Sequence, residues 1–327
     1  MKIGYGFTTA LCACIVWGGA GGASAQDPGA AWPARSVRLI VPSSPGGGSD
    51  IYARLLAHGL GEALKQQFIV DNRPGASGII GAEIASKAAP DGYTFLLSAS
   101  PALITNPSLF RKLPYNAERD FTPVARGVIS PYVLVSHPSV PARTLPALVA
   151  LGKREPGKLA YGSGGVGTGG HLIVKAIEEA SGARFVPVQY KGLGPALQDM
   201  LRGEVAFLMA GIVNVLPNIR QGKALALAVT NRSPQLPGTP TLAEAGYPKI
   251  EGSASYNVAA PAGTPSAVVQ RLSAEIGKVM KTPAFREKLD AQALIPIFDT
   301  PDEAAASLKQ QRAMWADVIR RNNIVVD

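Results

Sequence analysis

Short apolar runs alternate with longer amphipathic segments along most of the chain. Residues 37–41, Val-Arg-Leu-Ile-Val, have the pattern of a buried strand. Residues 51–66 carry Ile51, Leu55, Leu56, Leu60 and Leu64 along one side of a predicted helix. Further strands are predicted at 68–70, 93–98, 159–162, 186–188, 205–209 and 225–230, and further helices at 144–154, at 171–180 and after Pro265 and Pro301. This alternation predicts an α/β fold.

One arrangement occurs twice. The strand at 37–41 leads through Pro-Gly-Gly-Gly-Ser (45–49) into a helix, and the strand at 159–162 leads through Ser-Gly-Gly-Val-Gly-Thr (163–168) into another. In each half the next strand ends in a basic turn with glycine, at 72–75 and at 190–192. The repeat predicts two similar lobes. The apolar runs 128–135 and 255–260 are the expected crossings, which assigns 26–131 plus 256–327 to lobe 1 and 132–255 to lobe 2.

The first 25 residues have the pattern of a secretory leader. Met1-Lys2 is a short positive segment, residues 3–22 are apolar and uncharged, and Ala23-Ser24-Ala25 is a small-residue cleavage site. Many glycines weaken the alternative of a retained membrane anchor, and the apolar run continues past Cys14, which weakens a lipoprotein interpretation. We therefore predict a signal peptide at 1–25, a periplasmic location and a mature chain, 26–327, without cysteine and hence without disulfides.

Composition and charge exclude several classes of protein. With 46% hydrophobic and 17% charged residues, the chain is too apolar to be disordered. Its 32 Lys and Arg against 23 Asp and Glu give a net charge of +9, but the basic residues are scattered and aromatics amount to only 6%. This distribution does not favour nucleic-acid binding. A positive field does favour anionic small molecules or an anionic membrane surface.

The two glycine loops are the main candidates for chemistry. A helix N-terminus has unpaired N–H groups and a partial positive charge, and glycine lets that backbone approach a ligand closely. Two such ends facing one cleft would hold a molecule with two anionic ends; the alternative is that each loop is only a tight turn. Asp50 and His171 lie in the first turns of the two helices. Asp50 either complements the helix dipole or binds an ammonium group, and His171 either packs or donates to the anion. Arg73 and Lys191 are further candidate anion partners.

The sequence disfavours three classes of enzyme, because the motif of each is absent or incomplete. Gly48 is followed by Ser49-Asp50 rather than Lys-Ser/Thr, so there is no P-loop. Residues 165–170 match the dinucleotide pattern G-x-G-x-x-G, but the next strand ends in Gln-Tyr-Lys without the acidic residue. The mature chain has no G-x-S-x-G. Its three histidines, His58, His137 and His171, have no metal-ligand spacing, so we expect no metal and no cofactor.

A series of segments taken together resembles a known family. They are VPSSPGGGSD (41–50), DNRPGASG (71–78), APDGYT (89–94), SGGVGT (163–168) with His171-Leu172, YKG (190–192), ALAVT (226–230), PGTPT (237–241) and APAGTP (260–265). In this order they resemble the Bug (Bordetella uptake gene) extracytoplasmic solute receptors, the binding proteins of tripartite tricarboxylate transporters. The resemblance covers nearly the whole mature chain, from about Trp32 to Ile324.

The resemblance implies a type II periplasmic-binding-protein fold, with two α/β lobes joined by two crossing strands and a ligand cleft between them. It implies a receptor that captures a small carboxylate and delivers it to membrane permease subunits, without catalysis; a monomer is expected. Main-chain groups and water would hold the ligand. The site residues carried over are Ser44, Pro45, Gly46, Gly47 and Asp50 in the first lobe and Ser163, Gly165, Gly167, Thr168 and His171 in the second.

The chain also departs from the family pattern. Gln189, Ser43 and Leu225 stand where a Pro, an aromatic residue and an Arg are usual, and Ala206 and Ala210 replace frequent acidic residues. Loss of carboxylates near the cleft favours a plain carboxylate over an amino acid as the ligand. Two alternatives stay open: a sensing module for a membrane signalling partner and, less favoured, an enzyme that uses the same cleft.

Overall fold

Residues 1–4, 6, 32–324 and 326 are described by the computed structural model of the chain. The predicted cleavage site at Ala23–Ala25 and both cysteines, Cys12 and Cys14, lie outside the described residues. Within the described part, none of the helices combines the length and the apolar character that a membrane span requires.

Strands and helices alternate along the described chain. The strands are β1 (Val37–Val41), β2 (Phe68–Asn72), β3 (Thr94–Ser98), β4 (Phe121–Ser136), β5 (Ala160–Ser163), β6 (Val186–Gln189), β7 (Phe207–Gly211), β8 (Leu225–Val229), β9 (Ser253–Pro261) and β10 (Ile295–Asp299). The helices are α1 (Gly48–Leu64), α2 (Ile79–Ser86), α3 (Asn106–Leu109), α4 (Leu145–Arg154), α5 (Gly169–Ser181), α6 (Leu193–Arg202), α7 (Ile212–Arg220), α8 (Ser266–Lys281), α9 (Pro283–Ala291) and α10 (Pro301–Arg321). A 3-10 turn (Ala76–Gly78) and a π-helical turn (Pro101–Thr105) complete the order.

Each lobe is built on three parallel strands. In the first, β2, β1 and β3 are parallel neighbours, and β3 pairs antiparallel with β9. In the second, β6, β5 and β7 are parallel neighbours, and β7 pairs antiparallel with β4. Helices follow the strands, so the strands are buried and read as nearly continuous apolar runs. The predicted α/β class and two-lobed fold are confirmed.

Two strands connect the lobes. The first part of β4 pairs with β9, from Phe121 opposite Pro261 to Pro131 opposite Ser253. From Tyr132 onward, β4 pairs instead with β7 and β8 of the second lobe. The change of partner on β4 therefore falls between Pro131 and Tyr132. The full set of lobe boundaries, 26–131 plus 256–327 and 132–255, stays a prediction.

Several elements escaped the sequence prediction. They are α2, α3, α6, α7, α9 and β10, together with the two short turns. Pro217 lies inside α7, and Gly194 lies in the first turn of α6, so local propensity disfavours α7 strongly and weakens the start of α6. Packing overrides that propensity, because Val215 and Leu216 of α7 and Met200 of α6 are buried in the core of the second lobe.

Candidate functional site

The two predicted glycine loops lie at equivalent places in the two lobes. The first follows β1 and leads into α1, and the second follows β5 and leads into α5. Both loops therefore lie at the carboxyl ends of parallel strands, the edge where open α/β sheets bind ligands. The N-termini of α1 and α5 each add unpaired backbone N–H groups to that edge.

Each of these loops contacts an element of the opposite lobe. Ser77 of the 3-10 turn donates from Oγ to the Val166 carbonyl in the second loop at 3.3 Å. The amide of Gly48, the first residue of α1, donates to Oδ1 of Asn214 on α7 at 2.7 Å. A β-carbon at Gly192 would lie 3.4 Å from Oγ of Ser44. The fold thus brings both predicted halves of the site together.

Asp50 fixes the conformation of the first loop through hydrogen bonds. Its carboxylate is buried, accepts from the Gly46 amide at 2.9 Å and from Arg54 Nε at 3.0 Å, and lies 3.0 Å from Arg54 Nη2. Asn72 extends this network, because its Nδ2 donates to the Ser43 carbonyl at 3.1 Å. The loop from Ser43 to Gly46 is consequently tied to the ends of β2 and α1.

Asp50 is ionised in this setting. Burial alone would raise the pKa of its carboxyl, but hydrogen bonds from Arg54, the Gly46 amide and Asn72, with the charge of Arg54, together lower that pKa. The carboxylate is thus already neutralised by Arg54. A ligand ammonium group would have to compete with this guanidinium for Asp50.

The second loop is shaped by its own hydroxyls. Ser163 Oγ donates to the Gly165 carbonyl at 2.9 Å, and Thr168 Oγ1 donates to the same carbonyl at 2.9 Å. Gly165 has a φ of +132°, a conformation that strains residues with a β-carbon. At Gly167, whose φ is +73°, a β-carbon would lie only 1.8 Å from a methyl carbon of Leu109 in lobe 1. The two glycines therefore permit both the turn and the close approach of the lobes.

His171 is a buried, neutral member of the second loop. Its Nδ1 accepts from the Gly167 amide at 3.2 Å, which leaves the ring proton on Nε2. Burial, with a smaller contribution from the charge of Lys175, lowers the pKa of His171 to about 4. The ring also stacks on Tyr161, with centroids 6.4 Å apart. His171 therefore fixes the loop without adding a charge to the cleft.

At the start of each helix, amides are left without acceptors. Among the described residues, no acceptor pairs with the backbone N–H groups of Ser49 and Asp50 in α1 or with those of Gly169, Gly170 and His171 in α5. Such groups attract an anion because their dipoles add to that of the helix. The candidate basic residues contribute less, since Arg73 pairs with Asp71 at 2.9 Å and Lys191 is exposed.

The predicted site residues therefore fall into two groups. Pro45 and Gly46 are exposed, and Ser44 and Gly47 are half-buried, at the turn of the first loop. The other six have hydrogen bonds inside their own loops: Asp50, Ser163, Gly165, Gly167 and His171 are buried, and Thr168 is half-buried. No group of three or more His, Cys, Asp or Glu that could hold a metal ion occurs among the described residues. Ligand contact by these residues stays a prediction.

Sequence reasoning missed Asn214, Ser77 and Leu109, three residues at the meeting surface of the lobes. Ser77 lies in the DNRPGASG segment, but nothing in the sequence shows that its φ is +52° or that it faces Val166. Asn214 follows β7 at the start of an unpredicted helix. One signal was available in the sequence. The strand β7 is parallel to β5 and ends at the same edge of the sheet, so residues that follow it, such as Asn214, lie near the second loop.

Comparison with known proteins adds an independent finding. The family model described as tripartite tricarboxylate transporter family receptor matches residues 52–324. Protein BugT of Bordetella pertussis is 38% identical over 292 residues, which cover 88% of this chain and 90% of BugT. The structure of MatC from Rhodopseudomonas palustris with bound malate has a TM-score of 0.83 and 29% identity, covering 88% of this chain and 100% of MatC. An R. palustris protein solved with adipate has a TM-score of 0.88 and 32% identity, covering 90% and 100%.

The buried His171 predicts how stability depends on pH. Because the unfolded histidine titrates near about 6.5 and the folded one near 4, the unfolded state binds more protons between these values. The free energy of unfolding should therefore fall as the pH drops from about 6.5 to 4, by up to about 3 kcal/mol. In urea unfolding measured across this range, the free energy of unfolding should depend less steeply on pH in His171→Asn than in the parent. Asparagine keeps an acceptor for the Gly167 amide. The exposed His58→Asn is the control; an unchanged slope in His171→Asn would contradict the assignment.

Proposed function

This chain belongs to the family of tripartite tricarboxylate transporter receptors, and we propose that it binds a small dicarboxylate between its lobes. It then delivers the ligand to the membrane permease subunits of the transporter. The predicted leader would direct export, so that residues 26–327 act in the periplasm as a monomer. Homologues with malate and with adipate support a dicarboxylate as the ligand class.

The observation that carries this proposal is the pair of helix N-termini at one junction. Each presents amides without acceptors among the described residues, and the Gly48–Asn214 and Ser77–Val166 hydrogen bonds each join one helix start or loop to an element of the other lobe. A dicarboxylate has one anionic group for each helix. Enclosure between the lobes lowers the effective dielectric constant around the ligand, which strengthens its hydrogen bonds to the amides.

The charges around the loops favour a plain dicarboxylate over an amino acid. Asp50, the one carboxylate among the proposed site residues, is held by Arg54 at 3.0 Å. Neutral hydroxyls and amides make up the remaining donors of the loops. We propose that Asp50 and Arg54 position the first loop and do not bind an ammonium group.

The same geometry supports binding without reaction. Ser163 uses its hydroxyl on the Gly165 carbonyl, and His171 Nδ1 is engaged by the Gly167 amide. Among the residues that the structure describes, no base is therefore positioned to activate Ser163 as a nucleophile. Membership of a receptor family agrees with a non-catalytic role.

Closure of the lobes is the step that the permease would recognise. The hydrogen bonds Gly48–Asn214 and Ser77–Val166 join residues of opposite lobes and form only when the loops approach. A ligand that binds both helix N-termini favours this closed arrangement, because it gains its second set of contacts only there.

A ligand screen combined with a loop variant tests the proposal. We expect malate or adipate, at about 100 times the dissociation constant, to stabilise the protein by roughly 2.7 kcal/mol in a thermal-shift assay. Thr168→Val removes the hydroxyl that shapes the second loop and should weaken binding at least about 10-fold in calorimetry. Thr122→Val on β4 is the matched control and should bind normally. Absence of binding by any dicarboxylate would overturn the proposal.

The role of Asp50 has a separate test. If Asp50 and Arg54 act together on the first loop, Asp50→Asn and Arg54→Ala should weaken dicarboxylate binding to a similar extent, by about 3- to 10-fold. Arg35→Ala, which breaks the exposed Arg35–Asp91 pair of the same lobe, should have no effect. A loss confined to aspartate and glutamate in Asp50→Asn would show instead that Asp50 binds an ammonium group.

A further inference from the structure

Two buried tyrosines lie on the strands that join the lobes. Tyr132 is the first β4 residue to pair with lobe 2, and Tyr256 lies on β9 opposite Val128. Since successive side chains of a strand alternate between faces, Val128, Tyr132 and Tyr256 point to the same face of the sheet. Val128, which lies opposite Tyr256, is four residues before Tyr132 on β4, a span of about 13 Å along the strand.

Each tyrosine hydroxyl reaches the N-terminus of one glycine-loop helix. A β-carbon at Gly48, the first residue of α1, would lie 2.1 Å from the Tyr256 hydroxyl. A β-carbon at Gly169, the first residue of α5, would lie 2.1 Å from the Tyr132 hydroxyl. Because Gly48 and Gly169 have no β-carbon, the Tyr256 and Tyr132 hydroxyls can lie directly against the starts of α1 and α5.

Neither hydroxyl has a hydrogen-bond partner among the residues that the structure describes. Tyr132 is 8% exposed and Tyr256 is 2% exposed, so both side chains are more than nine-tenths buried. Among the other buried tyrosines, Tyr52 donates to the Met280 sulfur and Tyr115 to the Ala102 carbonyl, while the Tyr161 hydroxyl also has no partner among the described residues. Leaving a buried polar group unpaired is costly, and sites that do so are commonly functional.

Both hydroxyls stay protonated, so each keeps an O–H that can donate to an acceptor. Burial raises the pKa of Tyr132, and burial together with the negative charge that Tyr132 would carry raises the pKa of Tyr256. A carboxylate is the strongest neutral-pH acceptor for a phenol, and the adjoining helix ends attract the same anion.

We propose that Tyr132 and Tyr256 are ligand-binding residues, each donating from its hydroxyl to one of the two carboxylates of the bound dicarboxylate. This inference rests on the proposed function and deepens it. Tyr256 serves the carboxylate at α1 and Tyr132 serves the carboxylate at α5. Because the crossing strands fix the spacing of the two hydroxyls, the pair selects linear dicarboxylates over monocarboxylates.

Calorimetry with adipate and with hexanoate tests the proposal. Hexanoate has the same six-carbon chain but a single carboxylate. Tyr132→Phe and Tyr256→Phe should each weaken adipate binding about 10- to 100-fold. With hexanoate, only one of the two variants should show a loss, since only one end is anionic. Tyr52→Phe is the matched control, because Tyr52 is equally buried and contacts the Tyr256 ring at 6.1 Å; it should bind adipate within twofold of the parent.

A second measurement separates binding from packing. Removal of an unpaired buried hydroxyl should leave the urea midpoint of the ligand-free protein unchanged or higher. Lower midpoints in Tyr132→Phe and Tyr256→Phe, or an equal loss of adipate binding in Tyr52→Phe, would indicate a packing role and overturn the inference.

The outcomes also separate this inference from the proposed function. If the parent protein binds adipate or malate and both Phe variants bind it within twofold of the parent, the tyrosine assignment is wrong and the receptor function stands. If the parent binds no dicarboxylate, the proposed function fails, and the assignment fails with it.

Discussion

The structure is organised around backbone amides at the N-termini of α1 and α5 that have no acceptor within the part of the chain that the structure describes. A backbone N–H group is always a hydrogen-bond donor, so these amides are satisfied by water or by an anionic ligand. Two sets of three parallel strands place these helix ends at equivalent edges, and the antiparallel strands β4 and β9 connect the two sets. The remaining residues of the two loops hold these amides at the junction of the lobes.

Side chains around the loops mostly bind the protein itself. Asp50 is neutralised by Arg54, Ser163 and Thr168 both donate to the Gly165 carbonyl, and His171 accepts from Gly167. Each loop is thus shaped before a ligand arrives, which reduces the conformational entropy that binding would cost.

Much of the fold could be predicted from the sequence, because apolar runs and glycine punctuation report local structure directly. The strand at 37–41 and the helix that starts after Pro265 lie where their patterns indicate. The resemblance to the Bug receptors is confirmed by the family match and by BugT. Helix α7 was missed because Pro217 interrupts its pattern, while burial of Val215 and Leu216 stabilises it. Asn214, Ser77 and the tyrosine pair were missed because their importance depends on contacts between distant parts of the chain.

The most direct test of the account is the response of the glycine amides to a dicarboxylate. In ¹⁵N-glycine-labelled protein titrated with adipate, the account predicts downfield proton shifts at Gly169 and Gly170, the amides left without acceptors at the start of α5. Gly194, in the first turn of α6, and Gly222, beyond α7, should move little. If adipate binds and the signals of Gly169 and Gly170 stay in place while others shift, the ligand is not held by this helix end, and the central claim is wrong.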